Sequence, residues 1–388
     1  MKNIIPSLSK MWNKVLKLEK TLFPALKEEL RLEELSTKEQ KLISILDFAE
    51  IEQNITVVTI TNTPKDREEM ARAFIAKSVY NIQTTRDLID RLRVDRTLRM
   101  LCGWEYSNKI PSEAKFSRVF KEFTDLQIAQ KTQEQFVAKY LSDVIFLYNA
   151  TDATKMLLRE KPIKVEKEKE KPKHKPGRPK KGEVREAIKP KILEQQKEMQ
   201  TVEEMLALVS TNCGVGVKQN SKGNREVWIG GKLHISAVDG DIPITAFYSG
   251  ANVHDSSVAL PLMLETSNRI NYLFDLQDAG YDADIIREFS IKLKHRPIID
   301  INPKNSKALK EKILLIKEEK IKFKWLNLEQ SSDIHHYNQR SMVERVNKYL
   351  KDDFGCNTIY YQGADKVASV LAFGVLSVCI HQSLKLVT

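Results

Sequence analysis

Two aspartates stand where predicted strands end, and carboxylates in such places are suited to binding a metal ion. Asp152 follows the apolar, β-prone run at residues 144–148, and Asp278 closes a short predicted strand at residues 272–278. Carboxylate oxygens are the ligands that hard divalent cations prefer. Either aspartate can instead serve as a helix cap or a turn residue, so the pattern leaves a metal site and a structural role open.

A third carboxylate, Glu344, lies on a predicted helix at residues 341–353 between two cations. Arg340 precedes it by four residues and Lys351 follows it by seven, and these spacings place all three on one helical face. The arrangement suits a metal-bound phosphate, with the glutamate on the metal and the cations on phosphate oxygens. A stripe of salt bridges on a solvated helix is the alternative that this spacing leaves open.

The order of the strands is what would bring the two aspartates together. Strands are predicted at residues 144–148, 227–238, 243–249, 272–278 and 297–301, and helices at residues 256–266, 283–293, 309–322, 341–353 and 366–386. This order is typical of an α/β fold with a mixed sheet flanked by helices. If the strand ending at Asp278 is parallel to the first strand and beside it, Asp152 and Asp278 meet at one edge of the sheet. Asp275 then faces the other way, because side chains alternate along a strand.

The first 140 residues are predicted to form an all-α domain ahead of the sheet. Apolar residues recur at helical spacing through residues 28–46, 70–80 and 85–93. Ser112 is a good N-cap for a helix at residues 113–123, whose outer face carries Lys115 and Arg118. A helix, a turn and a basic-faced helix are consistent with a helix-turn-helix that contacts DNA, and also with a surface helix of a bundle.

The positive charge of the chain is concentrated in one segment. The 388 residues carry a formal net charge of +11, and residues 161–181, with ten Lys or Arg and three Glu, account for +7 of it. This points to an acidic polymer as partner, most simply nucleic acid. The segment belongs to a basic, Pro-rich insertion at about residues 160–200, in which Arg178 stands in a Gly-Arg-Pro motif followed by Lys180 and Lys181. The motif resembles an AT-hook, which lays its arginine in the DNA minor groove, while a solvated spacer is the alternative.

Cysteine usage and hydropathy favour a cytoplasmic protein without a membrane partner. The cysteines lie far apart and form no CxxC pair, which argues against a zinc site and fits a reducing compartment: Cys102, Cys213, Cys356 and Cys379. The N-terminal residues lack the apolar core of a signal peptide. The longest apolar stretch, residues 367–380, is shorter than the roughly 18–20 residues that span a bilayer.

Histidines and tryptophans are weaker candidates for chemistry. His234 and His254 are expected to be structural or to face DNA rather than to bind metal. His335 and His336 are expected to be exposed in a loop. Trp228 is suited equally to packing and to base stacking.

The spacing Tyr337-x2-Arg340-x3-Glu344-x6-Lys351 resembles the signature of bacterial insertion-sequence transposases of the DDE class. Other segments resemble further motifs of that family in the same order: residues 101–104, 111–118, 151–154, 159–162, 177–182, 215–223, 228–230, 232–234, 253–255 and 278–282. The resemblance runs from about residue 100 to the end of the chain.

The resemblance implies an RNase H-like catalytic domain at residues 141–388 behind a helical DNA-binding domain at residues 1–140. It also implies that Asp152, Asp278 and Glu344 bind two Mg²⁺ ions, with Mn²⁺ as a substitute. In that chemistry one metal activates water or a DNA 3′-hydroxyl, and the other stabilises the leaving oxygen.

The implied partners are the DNA of the element's terminal inverted repeats, target DNA and a second copy of the chain, as a homodimer on paired ends. Tyr337, Arg340 and Lys351 would contact DNA near the cut. Two other functions stay open. A catalytically decayed remnant or a repressor would bind the same ends without cutting them, and a metal nuclease of the same fold would cut without strand transfer.

Overall fold

The N-terminal part of the chain is helical in the computed structural model, which describes residues 6–30, 34–56, 65–162, 190–219, 223–302, 306–325 and 332–388. The helices are α1 Pro6–Lys17, α2 Phe23–Leu30, α3 Thr37–Ala49, α4 Glu52–Thr56, α5 Arg67–Val79, α6 Thr85–Val94, α7 Arg96–Cys102, α8 Glu113–Asp125 and α9 Ile128–Tyr140, with a π-helical stretch at Leu18–Leu22. Ser36 and Glu39 form a capping box that starts α3, so the helical pattern at residues 28–46 is divided between α2 and α3. Ser112 caps α8 as predicted.

A mixed sheet follows, which confirms the predicted α/β class. Its strands are β1 Ile145–Leu158, β2 Gly214–Gln219, β3 Arg225–Val238, β4 Ile242–Gly250, β5 Asn271–Gln277, β6 Arg296–Ile299 and β7 Thr358–Ile359. The central order is β4-β3-β1-β5-β6, in which β3 is antiparallel to β1 and β4, and β5 is parallel to β1 and β6. β2 pairs with the first part of β3, and β7 pairs with the end of β1.

Helices cover both faces of the sheet. They are α10 Ile192–Gln196, α11 Val202–Ala207, α12 Ala259–Arg269, α13 Asp284–Lys292, α14 Lys307–Trp325, α15 Ser332–Asn338, α16 Ser341–Asp352 and α17 Ala364–Leu384. Asp152 on β1 contacts α16, whereas Asp275 on β5 contacts Ser290 of α13. Because side chains alternate along a strand, α16 and α13 lie on opposite faces. α17 packs on β4 and also on α3, α5, α8 and α9.

α17 joins the sheet to the N-terminal helices through one continuous apolar core. Phe373 on α17 lies 5.7 Å from Phe74 and 6.4 Å from Phe120 between ring centroids. α17 is long and apolar enough to cross a membrane, with a mean hydropathy of 1.8, but most of that stretch is buried inside the protein. The apolar composition of α17 is therefore explained by its place in the core of the protein. The four cysteines are buried and unpaired: Cys102, Cys213, Cys356 and Cys379.

β1 is much longer than predicted, and Asp152 lies inside it rather than after it. The strand runs on through the small and polar residues 149–154, which on propensity alone favour a loop. Pairing on both sides overrides that preference, because β3 and β5 supply backbone partners for this stretch. Asn149 is buried there and donates to Asp275 at 3.0 Å, so its side chain is also satisfied.

Candidate active site

β1 and β5 bring two of the predicted site residues together. Thr151 is in register with Gln277 on the adjacent parallel strand, so Asp152 and Asp278 come one residue later on each chain segment. Neighbouring residues in register on parallel strands point to the same face of the sheet. Asp278 is among the charges that raise the pKa of Asp152, so the two carboxylates lie within electrostatic reach of each other.

A tight turn fixes Asp278 at the end of β5. Its Oδ1 accepts a hydrogen bond of 2.9 Å from the backbone N–H of Gly280, which caps a short 3-10 helix at Ala279–Tyr281. A Cβ at residue 280 would lie 2.9 Å from the same oxygen, so glycine allows this close approach. Asp278 is thus a capping residue, and the cap holds its carboxylate beside Asp152.

α16 lies over the carboxylates and is anchored to the sheet by side-chain hydrogen bonds. Asn347 donates from Nδ2 to Oδ2 of Asp152 at 3.1 Å. Arg345 donates from Nε and Nη2 to Asp241 in the β3–β4 turn, at 2.8 and 2.6 Å. The buried face of the helix is formed by Met342, Val343, Val346, Asn347 and Leu350.

Glu344 lies on the rim of this helix, and its side chain is 55% exposed. Arg340 donates from Nη2 to its Oε1 at 2.5 Å, an ion pair across one helical turn. Among the described residues, no three His, Cys, Asp or Glu side chains are grouped closely enough to hold a metal ion. The structure therefore brings Asp152 and Asp278 together and leaves Glu344 paired with Arg340.

Burial and charge oppose each other at Asp152. Burial raises the pKa of Asp152 to about 6, and the negative charge of Asp278 adds to this effect. A backbone hydrogen bond, Arg340 and Lys218 act in the opposite direction. For Arg340, burial alone would lower the pKa, but Tyr337, Glu344 and Asp152 outweigh it and raise the pKa. Arg340 is thus the cation shared by Asp152 and Glu344.

Lysines also lie around the aspartates. Lys351 donates from Nζ to Oγ1 of Thr154, two residues beyond Asp152 on the same face of β1. Burial lowers the pKa of Lys351, and the nearby cations Lys155 and Lys218 lower it further. A site with two carboxylates surrounded by cations suits a phosphodiester that approaches together with a metal ion.

A buried tyrosine lies within electrostatic reach of both carboxylates. Tyr281 is 1% exposed, its hydroxyl has no hydrogen-bond partner among the described residues, and burial raises its pKa well above the usual value. Asp255, Asp152 and Asp278 are the negative charges that act on it. Asp255 is itself held by Lys232 at 2.7 Å.

The donor atoms present fit a hard divalent cation. Asp152 and Asp278 offer adjacent carboxylates whose mutual repulsion a cation would relieve. The Oδ1 of Asn347, on the amide that is bonded to Asp152, is buried and has no hydrogen-bond partner in the part of the chain that the structure describes. The two carboxylates are the ligand chemistry that Mg²⁺ takes, and the amide of Asn347 holds one of them in place.

The structure places the other predicted DNA contacts unevenly. Lys115 on α8 is paired with Asp66 at 2.6 Å, whereas Arg118 on the same helix is exposed. The connection from α7 to α8 spans residues 103–112, longer than the three or four residues of a DNA-binding helix-turn-helix. Three predicted contacts lie outside the described residues: Arg178, Lys180 and Lys181.

The histidines and Trp228 have structural contacts. His234 is buried with Nε2 at 2.7 Å from Ser249 Oγ, and His254 is 2.7 Å from Ser256 Oγ. His336 is not in an exposed loop, as the sequence suggested, because it lies on α15 and stacks on Phe274 with ring centroids 4.5 Å apart. Trp228 is 7% exposed and packs over Gly216, where an added Cβ would lie 2.2 Å from the indole ring.

Two of the important residues were missed by the sequence reasoning. Asn347 follows Glu344 by three residues, so helical periodicity alone places it on the neighbouring strip of the same face. Tyr281 carries no such signal, because its position depends on the turn after β5.

Two family models match the chain, and both describe transposases. The model "Transposase domain (DUF772)" matches residues 28–122, and the model "Transposase DDE domain" matches residues 207–380. The chain belongs to the DDE transposases of insertion sequences. These are DNA-cleaving enzymes with an RNase H-like fold that act with divalent metal ions, so DNA is the partner of this transposase. No curated protein and no solved structure matches the chain.

The second match covers only part of the acidic site of this transposase. Asp278 and Glu344 lie inside residues 207–380, whereas Asp152 lies between the two matched segments. The place of Asp152 in the site therefore depends on the pairing of β1 with β5.

Proposed function

We propose that this transposase binds the terminal inverted repeats of its own element and catalyses DNA strand cleavage and strand transfer, with Asp152, Asp278 and Glu344 as its acidic triad. The observation that carries the proposal is the parallel register of β1 and β5, which sets Asp152 beside Asp278. The helix that carries Glu344 is bonded to the same aspartate through Asn347.

Mg²⁺, with Mn²⁺ as a substitute, is the cofactor that this donor set favours. Asp152, Asp278 and Glu344 would hold it, and when bound it supplies activation of the attacking oxygen and stabilisation of the leaving oxygen at phosphorus. The protein's own contribution is to hold one carboxylate within β1, a second at the end of β5 and a third on an anchored helix.

Arg340 serves the site by neutralising carboxylates before DNA arrives. Its guanidinium is bonded to Glu344 and interacts with Asp152. A planar guanidinium is also a good bidentate partner for phosphate. We expect a scissile phosphate to draw Arg340 away from Glu344, which frees the third carboxylate when substrate is present.

DNA is held by one tyrosine and by cations on several parts of the chain. Tyr337, Arg340 and Lys351 lie around the carboxylates, and Arg118 is exposed on α8. The predicted contacts Lys115, Arg178, Lys180 and Lys181 belong to this set, with Lys115 weakened by its pairing to Asp66. β1 ends at Leu158, three residues before the basic segment begins, so that segment is attached close to the aspartates.

Residues 1–140 and 141–388 act as the DNA-binding and catalytic parts, and the protein works in the cytoplasm as a homodimer on paired ends.

The decisive experiment compares the unmodified protein with Asp152→Ala on a plasmid that carries the element's two ends. We expect Asp152→Ala to abolish Mg²⁺-dependent cleavage while its affinity for the ends stays unchanged. Asp90→Ala is a matched control, because this aspartate is exposed on α6 far along the chain from the site. Near-normal cleavage by Asp152→Ala would contradict the assignment.

The same assay separates the alternative functions. Joined products between element ends and target DNA indicate a transposase, whereas cleaved ends without joining indicate a nuclease. Binding of the ends by the unmodified protein without any cleavage indicates a decayed remnant or a repressor.

A further inference from the structure

We infer that Asn347 is a positioning residue for the metal site, whose side-chain amide fixes the carboxylate of Asp152 and thereby sets the affinity of the site for a divalent cation. The inference rests on the proposed function, because it takes Asp152 to be a metal ligand. It adds a residue that lies outside the Tyr-Arg-Glu-Lys spacing.

The contact between the two side chains is direct and partly buried. Asn347 is 8% exposed and donates from Nδ2 to Oδ2 of Asp152 at 3.1 Å. The bond uses one lone pair of Oδ2 and fixes the rotation of the carboxylate, while Oδ1 of Asp152 is left out of it. A rigid carboxylate binds a cation more tightly than a rotating one, because less freedom is lost on binding.

Packing alone gives no reason for an asparagine at this position. Its neighbours on the buried face of α16 are apolar: Met342, Val343, Val346 and Leu350. Asparagine is a poor helix former, and its Oδ1 is buried here with no hydrogen-bond partner from any described residue. A leucine would suit both the helix and the core better, so the amide is explained by its contact with Asp152.

The position of Asn347 also links two of the proposed ligands. It lies one turn after Glu344 on α16, so the bond to Asp152 ties the helix that carries one carboxylate to the strand that carries another. Hydrogen-bond partners of metal ligands typically change metal affinity by about 10–100-fold when they are removed. We expect an effect of this size.

The helix has other anchors, so the loss of Asn347 leaves it seated. Arg345 remains bonded to Asp241, and Lys351 remains bonded to Thr154. A change in metal affinity in an Asn347 variant then reports the state of the Asp152 carboxylate rather than a displaced helix.

The test is a titration of the full chain with Mn²⁺ and no other ligand. Electron paramagnetic resonance measures the concentration of unbound Mn²⁺, which gives the dissociation constant. Asn347→Leu and Asn347→Ala are compared with the unmodified protein and with Lys348→Ala, an exposed neighbour on the same helix. We expect at least tenfold weaker Mn²⁺ binding in both Asn347 variants and unchanged binding in Lys348→Ala. Thermal melting confirms that each variant is folded. Leucine and alanine differ in volume, so at least one of the two variants is expected to pack on the buried face of α16 and fold.

Asp152→Ala separates a failure of this inference from a failure of the proposed function. If Asp152→Ala loses Mn²⁺ binding and a folded Asn347 variant keeps it, then Asn347 does not position the site. If Asp152→Ala binds Mn²⁺ as tightly as the unmodified protein, the metal site itself is placed wrongly.

Discussion

Two carboxylates on neighbouring parallel strands repel each other until a cation joins them. Burial raises the pKa of Asp152 to about 6, Asp278 adds to the rise, and Arg340 offsets part of it. Natural proteins retain such unfavourable groups mainly at functional sites, where the cost to stability is compensated by function. The arrangement thus favours a functional role for the pair, in addition to the cap that Asp278 provides.

Asp152→Asn is expected to stabilise the metal-free protein. Asparagine keeps the shape and can still accept the hydrogen bond from Asn347, while the buried negative charge is removed. We expect a gain of up to about 3 kcal/mol in the free energy of unfolding at pH 7.5, the size of the shift of the Asp152 pKa from 3.8 to about 6. Thermal melting with a chelator measures it. Added Mg²⁺ should then raise the melting temperature of the unmodified protein only, because ligands stabilise the state that binds them.

His234 should make the protein sensitive to acid. Burial lowers the pKa of His234 to about 4, from 6.5. As the pH falls from 6.5 to 4, the unfolded chain takes up a proton at this residue and the folded chain does not, so stability is lost by up to about 3 kcal/mol. His234→Gln keeps a partner for Ser249 and removes the titration. Urea unfolding at pH 7 and pH 5 should show a smaller loss in that variant, and equal losses would contradict the role of His234.

For single residues, the sequence predicts which side chains carry the chemistry better than it predicts what those side chains contact. The residue types and spacing point to Asp152, Asp278 and Glu344, because carboxylate oxygens are the ligands that hard divalent cations prefer. The ion pair between Arg340 and Glu344 and the bond from Asn347 depend on how α16 lies on the sheet, which no local pattern specifies.

The elements that hold the site were predicted unevenly, and β1 shows why. Residues 144–148 are apolar and were assigned to a strand, but residues 149–154 are small and polar and resemble a loop. In the fold their backbone is paired by β3 and β5, and Asn149 and Asp275 satisfy each other. Helical periodicity on α16 was reliable because a half-buried helix must repeat its apolar positions.

Replacing Gly216 should disrupt the β2–β3 ribbon. An added Cβ at this position would lie 2.2 Å from the ring of Trp228, so Gly216→Ala must displace the indole. Overpacking of this kind typically costs about 1–3 kcal/mol. We expect a red shift and a larger quenching of tryptophan fluorescence together with a lower melting temperature. Val217→Ala, at a side chain that is 50% exposed on the same strand, is the matched control and should change little.

At the scale of the whole molecule, charge and packing divide the chain differently. The charge separates one segment, because residues 161–181 carry +7 of the net +11. The sequence patterns place a domain boundary at residue 140. The packing joins the two parts on either side of it, because α17 contacts both the sheet and the N-terminal helices. A boundary read from helix and strand patterns does not report such contacts, which form between the last helix and elements more than two hundred residues earlier.

Phe373→Ala should therefore weaken both parts of the molecule at once. Phe373 is 2% exposed on α17 and packs against Phe74 and Phe120 of the N-terminal helices. Truncation of a buried phenylalanine costs about 3–5 kcal/mol, and in a shared core the whole cost falls on one cooperative unit. We expect a single calorimetric transition at lower temperature, with amide hydrogen exchange faster by the same factor in α5 and in β1.

The matched control for this change is Ile291→Ala, at a side chain that is 63% exposed on α13. It should leave the melting temperature and the exchange rates close to those of the unmodified protein. Faster exchange in α5 alone in Phe373→Ala, with β1 unaffected, would mean that the helical part unfolds separately from the sheet. In that case a catalytic fragment of residues 141–388 would stand without its N-terminal helices, whereas a shared core requires both parts to fold together.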